Sequence, residues 1–97
     1  SWRDNQKNSY LALLPARDNA RMIRIALTDD HAIVRAGFRA LIEREADMQI
    51  VSECGSIAEC ERALADNAAD VLVLDLTLRG ESGIEALPSL CARFPAL

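Results

Sequence analysis

Two acidic sites in the chain each follow an apolar segment. Asp29 and Asp30 come directly after residues 23–28, and Asp75 comes directly after residues 71–74. If these segments are neighbouring strands of a parallel sheet, they lie about 4.8 Å apart and the three carboxylates converge. Like charges held so close repel one another, so their joint burial is reasonable if a divalent cation relieves the repulsion. Oxygen ligands on a partly open site are typical of Mg²⁺.

Each of these acids also has an ordinary structural interpretation. Aspartate is common in turns and at the first turn of helices, and a single acid would be explained in that way. A pair after one strand and a third acid after a fully apolar strand are better explained by a shared ligand. His31 is interpreted as a first-turn helix residue, since no candidate nucleophile accompanies it. Gly80 and Gly83 are interpreted as residues that ease a turn, and the chain has no glycine-rich phosphate-binding loop.

Three segments have the composition of strands. Residues 23–28 and 48–54 alternate between apolar and polar side chains, as a half-buried strand does. Residues 71–74, with the sequence VLVL, are apolar without interruption, which is typical of a parallel strand covered on both faces. The acids therefore follow the first and third predicted strands.

A helix is predicted after each strand. Helical periodicity begins at Ile33 after the first strand. The second and third helices begin with the capping-box pairs Ser56 with Glu59 and Ser82 with Glu85. The resulting order, β-α-β-α-β-α, predicts an α/β fold with a parallel sheet and right-handed crossovers. Ligands of such sheets bind outside the carboxyl ends of the strands, where the acids are.

Composition limits the class of protein. The chain has 97 residues and a formal net charge of −4, which fits one domain and disfavours a nucleic-acid surface as its main partner. The three cysteines, at positions 54, 60 and 91, form no CxxC pair, so we expect reduced thiols in a cytosolic protein. No apolar run approaches the roughly 20 residues of a membrane span.

Residues 1–21 show no sustained period and are predicted to be a disordered N-terminal extension or linker, with one domain at 22–97.

Three motifs in this chain resemble those of receiver domains in two-component response regulators. They are TDDH at 28–31 followed by IVRAGFRALIE at 33–43, then DVLVLDL at 70–76, and GESGIE at 80–85. The resemblance covers residues 22–97 and is closest to the NarL/FixJ-type class, whose members carry a LuxR-like DNA-binding output domain. It implies a flavodoxin-like (CheY-like) doubly wound parallel sheet, here incomplete after the third helix, with strand order 2-1-3.

The resemblance implies a role for each matching residue. Asp75 would be the phosphoacceptor and would receive a phosphoryl group from a sensor histidine kinase. Asp30 would bind Mg²⁺ directly, and Asp29 would bind it directly or through water. Asp75 and the backbone carbonyl of Thr77 would complete the metal ligands. The chain is then a signalling phosphoacceptor module of the cytoplasm and not an enzyme.

The resemblance also implies how the complete protein works. Phosphorylation would control transcription, and DNA would be contacted only through a C-terminal helix-turn-helix domain outside this chain. The complete protein could form a homodimer, and no membrane partner is expected.

The chain departs from the family pattern at several points. The switch Ser or Thr after strand four and the Lys after strand five have no counterpart, and Lys7, the only lysine, precedes the fold. Arg79 stands where the family often has proline, and Pro88 lies inside the third helix. Because only three strands match, residues 71–74 are predicted to form an unpaired sheet edge, and we expect the isolated chain to aggregate or to pair through it.

Two other interpretations compete with the receiver domain. A strand followed by Asp75 is also similar to the start of haloacid-dehalogenase-like phosphatases. That family has a second aspartate two residues later, where this chain has Thr77, and it leaves Asp29 and Asp30 unexplained. The other alternative is a non-catalytic α/β interaction fragment.

Overall fold

The computed structural model describes the backbone of residues 2–5 and 10–13 and all of residues 22–97. These residues form five strands in one sheet, ordered β1-β2-β5-β3-β4, together with three helices. The elements are β1 (Trp2–Asn5), β2 (Tyr10–Leu13), β3 (Ile23–Thr28), α1 (Ala32–Glu43), β4 (Met48–Cys54), α2 (Ile57–Asp66), β5 (Val71–Asp75) and α3 (Gly83–Arg93).

The three strands predicted from the sequence form the parallel part of the sheet. β3 lies between β4 and β5, and both neighbours run parallel to it. In β3, Thr28 is opposite Cys54 of β4 and Leu74 of β5, so all three strands end at the same edge. The first, second and third predicted strands are β3, β4 and β5. Their arrangement, β4-β3-β5, confirms the α/β fold and the predicted strand order 2-1-3.

The other two strands lie in the segment predicted to be a disordered extension or linker. β2 is antiparallel to β5, with Tyr10 opposite Asp75 and Ala12 opposite Val73, and β1 is antiparallel to β2. Residues 2–5 and 10–13 therefore form strands where disorder was predicted, while the rest of residues 1–21 lies outside the described residues. The predicted unpaired edge at β5 is also wrong for Val73–Asp75. Pairing with β2 gives main-chain groups there the partners that an exposed edge lacks.

One side of the parallel strands is covered by α2 and α3. The connections β3-α1-β4 and β4-α2-β5 cross the sheet in opposite directions, so right-handed crossovers place α1 and α2 on opposite faces. The packed core lies on the α2 and α3 side. It is formed by Ala26, Cys54, Cys60, Leu64, Ala69, Leu72, Leu74, Leu78 and Leu90.

Both predicted capping residues begin their helices. Ser56 accepts a hydrogen bond from the amide of Glu59, and Ser82 accepts one from the amide of Glu85, each at 3.2 Å. The return bond of the first box differs from the ideal motif, because the Glu59 carboxylate accepts from the amide of Gly55. α3 continues through Pro88 despite the missing amide at that position.

The amino-terminal end of β5 is fixed to β3 by one ion pair. Asp70 accepts hydrogen bonds from the amide of Arg24 at 2.9 Å and from its guanidinium at 3.1 Å, and its own amide donates to the Arg24 carbonyl. This pair sets the register in which β3 and β5 end together. In the part of the chain that is described, no helix is both long and apolar enough to cross a membrane.

Candidate functional site

Asp29, Asp30 and Asp75 meet at the carboxyl edge of the sheet. One potential ligand atom from each of them, and one from His31, all lie within 4.8 Å of one another. Asp29 and Asp75 are buried and Asp30 is half-buried. The predicted convergence of the three acids, with β3 and β5 adjacent, is confirmed.

The two acids after β3 are held by the turn into α1. The amide of Asp29 donates to the carbonyl of Cys54 at 2.9 Å, which extends the β3–β4 pairing by one residue. Asp29 Oδ1 accepts the amide of His31 at 2.7 Å, so the side chain closes a tight turn directly before the helix. The sequence DDH therefore supplies the turn as well as the acids.

His31 is a member of the site that sequence reasoning missed. It is the N-cap residue of α1, as a first-turn interpretation requires, but its ring lies between two carboxylates. Nδ1 is 3.1 Å from Asp29 Oδ1 and 2.9 Å from Asp30 Oδ1. The only sequence signal for this arrangement is its position directly after the acid pair.

Asp75 is oriented by the residue that was predicted to help bind the metal. The amide and the hydroxyl of Thr77 both donate to Asp75 Oδ1, at 2.9 and 3.0 Å. Oδ2 accepts no hydrogen bond from the described residues, which leaves this oxygen available to a ligand or as a nucleophile. The predicted metal contact of the Thr77 carbonyl stays a prediction.

The loop after β5 folds back onto Asp30. The amide of Arg79 donates to Asp30 Oδ2 at 2.9 Å, and the guanidinium Nε lies 3.9 Å from the same oxygen. Gly80 follows with φ of 72°, in the left-handed region that glycine adopts easily. Gly80 therefore permits the turn that places the Arg79 amide on Asp30.

Gly83 fits the start of α3 against the site. A Cβ atom at this position would lie 2.6 Å from the Asp75 carbonyl oxygen and 2.8 Å from Cα of Leu76. These distances are too short for any side chain. The predicted role of Gly83 as an easy turn residue is therefore incomplete, because its missing side chain also lets α3 pack directly on the strand end that carries Asp75.

The donor set fits a hard divalent cation. Three carboxylates and one imidazole face a common point. Asp30 Oδ1 is buried and accepts no hydrogen bond of acceptable geometry, although His31 Nδ1 lies close to it. A buried carboxylate oxygen without a donor is costly, and a bound cation would satisfy it.

The thiols beside the site are poor nucleophiles. Cys54 ends β4 next to Asp29, and burial, reinforced by Cys60 and Glu59, raises the pKa of its thiol to about 11. Burial also raises the pKa of Cys60. Both are therefore protonated near neutral pH, and neither is a candidate thiolate nucleophile.

Comparisons with known proteins agree with this geometry. The family model described as "Response regulator receiver domain" matches residues 25–97. The transcriptional regulatory protein LiaR of Bacillus subtilis is 37% identical over 70 residues, which are 72% of this chain and 33% of LiaR. The transcriptional regulatory protein UhpA of Escherichia coli is 42% identical over 69 residues, 71% of this chain and 35% of UhpA. The chain thus spans about a third of the length of these curated relatives.

Solved structures give the same result. RcsB, a response regulator of Salmonella typhimurium, superposes with a TM-score of 0.74 and 28% identity over 79% of this chain and 40% of RcsB. A LuxR-family two-component response regulator from Aurantimonas superposes with a TM-score of 0.70 and 42% identity over 75% of this chain and 52% of that one. These findings do not favour the two alternative interpretations, a haloacid-dehalogenase-like phosphatase and a non-catalytic α/β interaction fragment. The chain belongs to the response regulator receiver domain family.

Proposed function

We propose that this chain is the phosphate-accepting part of a two-component response regulator and that Asp75 is its phosphoacceptor. The observation that carries the proposal is the state of the Asp75 carboxylate. It is buried at the strand end, one oxygen is fixed by Thr77, and the other accepts no hydrogen bond within the described residues. An oriented carboxylate with one available oxygen is suited to in-line attack on phosphorus.

The proposed chemistry is transfer of a phosphoryl group from a phosphohistidine of a sensor kinase. Asp75 Oδ2 forms a bond to phosphorus while the P–N bond breaks, and the departing imidazole nitrogen keeps the electron pair and later takes a proton. The product is an acyl phosphate on Asp75. Positioning and charge stabilisation supply most of the catalysis in reactions of this kind.

The proposed metal is Mg²⁺, which when bound would neutralise charge on the transferring phosphoryl group. Asp30 would bind it directly, Asp29 directly or through water, and Asp75 and the Thr77 carbonyl would complete the protein ligands. His31 lies within the same cluster and would restrain Asp29 and Asp30. The remaining positions would be open to water and phosphate oxygens.

We also propose the role of the complete protein. Relatives that match this chain over about a third of their length are named as transcriptional regulators, and one, DevR/DosR of Mycobacterium tuberculosis, as a DNA-binding transcriptional activator. Phosphorylation of Asp75 would therefore control a DNA-binding domain outside this chain, in the cytoplasm. We further propose that the complete protein forms a homodimer.

Labelling with a small phosphodonor tests the proposal. Incubation of the chain with Mg²⁺ and phosphoramidate, followed by borohydride reduction, should convert phosphorylated Asp75 to homoserine, which peptide mass spectrometry detects. We expect low occupancy, because residues 22–97 contain no lysine to hold the phosphate, and higher occupancy in the complete protein.

Asp75→Asn should abolish the homoserine product. Asp66→Asn, at an exposed acid at the end of α2, should leave the amount of product unchanged. Acid-stable phosphate that persists on Asp75→Ala protein would contradict the assignment of the acceptor.

A further inference from the structure

Arg79 places its guanidinium beside a carboxylate of the acidic site. Its amide and its guanidinium both approach one oxygen, Asp30 Oδ2, at 2.9 and 3.9 Å. The Arg79 side chain is 86% exposed, whereas that of Asp30 is 14% exposed. The guanidinium therefore reaches the carboxylate from the solvent side, where a phosphoryl donor would enter.

Other arginines near the sheet contact groups other than the carboxylates of the acidic site. Arg35 donates to the carbonyl of Asp29 and lies 3.9 Å from Glu53, and Arg39 donates to Glu53 at 2.8 Å. Arg24 is paired with Asp70 at the opposite end of β5. Residues 22–97 contain no lysine.

The two contacts of Arg79 differ in strength. The hydrogen bond from the Arg79 amide is short and is made by the main chain of the turn, so it remains whichever side chain is present. The guanidinium contact is long and solvent-exposed, so it is weak and easily exchanged. The main chain thus fixes the loop on Asp30, and the side chain is free to change its partner.

We propose that Arg79 is a phosphoryl-binding residue that pairs with Asp30 in the metal-free site and turns to the phosphoryl group on Asp75 when Asp30 serves as a metal ligand. A metal ion on Asp30 Oδ1 would repel a guanidinium beside Oδ2 of the same carboxylate, so the guanidinium leaves when the metal binds. Asp30 and Asp75 offer ligand atoms within 4.8 Å of each other, which keeps the phosphoryl group within reach of a long side chain. Guanidinium groups match phosphate oxygens well, through paired hydrogen bonds.

This inference rests on the proposed function and predicts opposite changes in two measurements on the chain. Isothermal titration calorimetry should give a Kd for Mg²⁺ about two- to fivefold lower in Arg79→Ala than in the wild type, because a weak competing ion pair is lost. At saturating Mg²⁺, the initial rate of Asp75 labelling by phosphoramidate should fall about three- to tenfold in the same variant. Arg79→Lys should keep most of the labelling rate, since it retains the charge.

Arg93→Ala is the matched control. It removes the same charge from an exposed arginine that pairs with Glu61 at 2.9 Å, away from the acidic site, and should change neither measurement. If Arg79→Ala behaves like Arg93→Ala, or binds Mg²⁺ more tightly without losing labelling, the inference is overturned. Loss of both Mg²⁺ affinity and labelling also overturns it, because it indicates general damage. If the wild type neither binds Mg²⁺ nor takes label, the proposed function itself fails.

Discussion

The two faces of the parallel sheet are covered in different ways. On one face, α2 buries Cys60 and Leu64, and α3 buries Leu90. On the other face, α1 buries no residue, and Ile33 and Leu41 are 83% and 60% exposed. Both α1 and α2 have the apolar periodicity of an amphipathic helix, yet only α2 contributes to the packed core. Periodicity therefore predicts that a helix forms and which side is apolar, but burial depends on what lies against that side.

Truncation of a core side chain should show this difference most strongly. Leu90→Ala removes a fully buried side chain and should lower the free energy of unfolding by about 2–5 kcal/mol. Leu41→Ala in α1 should change it by less than about 0.5 kcal/mol, because the side chain is already mostly in solvent. Urea denaturation followed by circular dichroism measures both. Equal losses would show that α1 is packed as firmly as α3 in solution.

Gly83 in α3 and Gly37 in α1 give a second comparison, in which substitution by alanine should change the stability in opposite directions. Gly83→Ala places a methyl group against the backbone of Asp75 and Leu76 and should destabilise the fold by about 1–3 kcal/mol. Gly37→Ala in α1 meets no atom within 4 Å and should stabilise it by about 0.5–1 kcal/mol, the propensity difference in a helix.

Thermal melts of the two glycine variants beside the wild type decide the matter. A stabilising Gly83→Ala would mean that α3 does not lie against Asp75. The Gly83 variant should also bind Mg²⁺ less tightly, since the strand end that carries Asp75 must shift.

The convergence of the acids could be predicted from sequence because it follows from topology alone. Adjacent parallel strands end at the same edge of the sheet, so the residues that directly follow β3 and β5 lie close together whatever path their loops take. The contacts of His31 and Arg79 could not be predicted, because they depend on the path of a particular turn and on side-chain direction. The β2–β5 pairing was missed for a different reason. Four residues, YLAL, are too few to show a period, and a non-local partner determines their structure.

Metal binding should stabilise the folded chain by an amount that grows with the logarithm of the Mg²⁺ concentration above its Kd. At ten times the Kd, Mg²⁺ should add about 1.4 kcal/mol to the free energy of unfolding if only the folded chain binds it. Asp30→Asn should reduce this gain most, because it removes the charge of the proposed direct ligand. Differential scanning fluorimetry across a Mg²⁺ titration is the measurement, with Asp66→Asn as control. A melting temperature that does not change with Mg²⁺ would count against the site.

The reactivities of the three cysteines test the comparison between buried and exposed surfaces without a change in the sequence. Cys91 on α3 is exposed, whereas Cys54 and Cys60 are buried with raised thiol pKa values. Because the thiolate is the reactive form, iodoacetamide at pH 8 should modify Cys91 at least about tenfold faster than the other two. Peptide mass spectrometry over time gives the three rates separately.

The pH dependence of stability has a definite sign for Cys54. Its pKa rises from 9.0 to about 11 on folding, so the folded chain holds the proton more tightly than the unfolded chain. The stabilisation is complete below pH 9 and is lost as the pH rises towards 11. Cys54→Ser also alters packing, so the informative quantity is the slope of unfolding free energy against pH. This slope should be negative between pH 9 and 11 in the wild type and less negative in the variant. Identical slopes would show that Cys54 is not held in the buried, protonated state that the structure assigns to it.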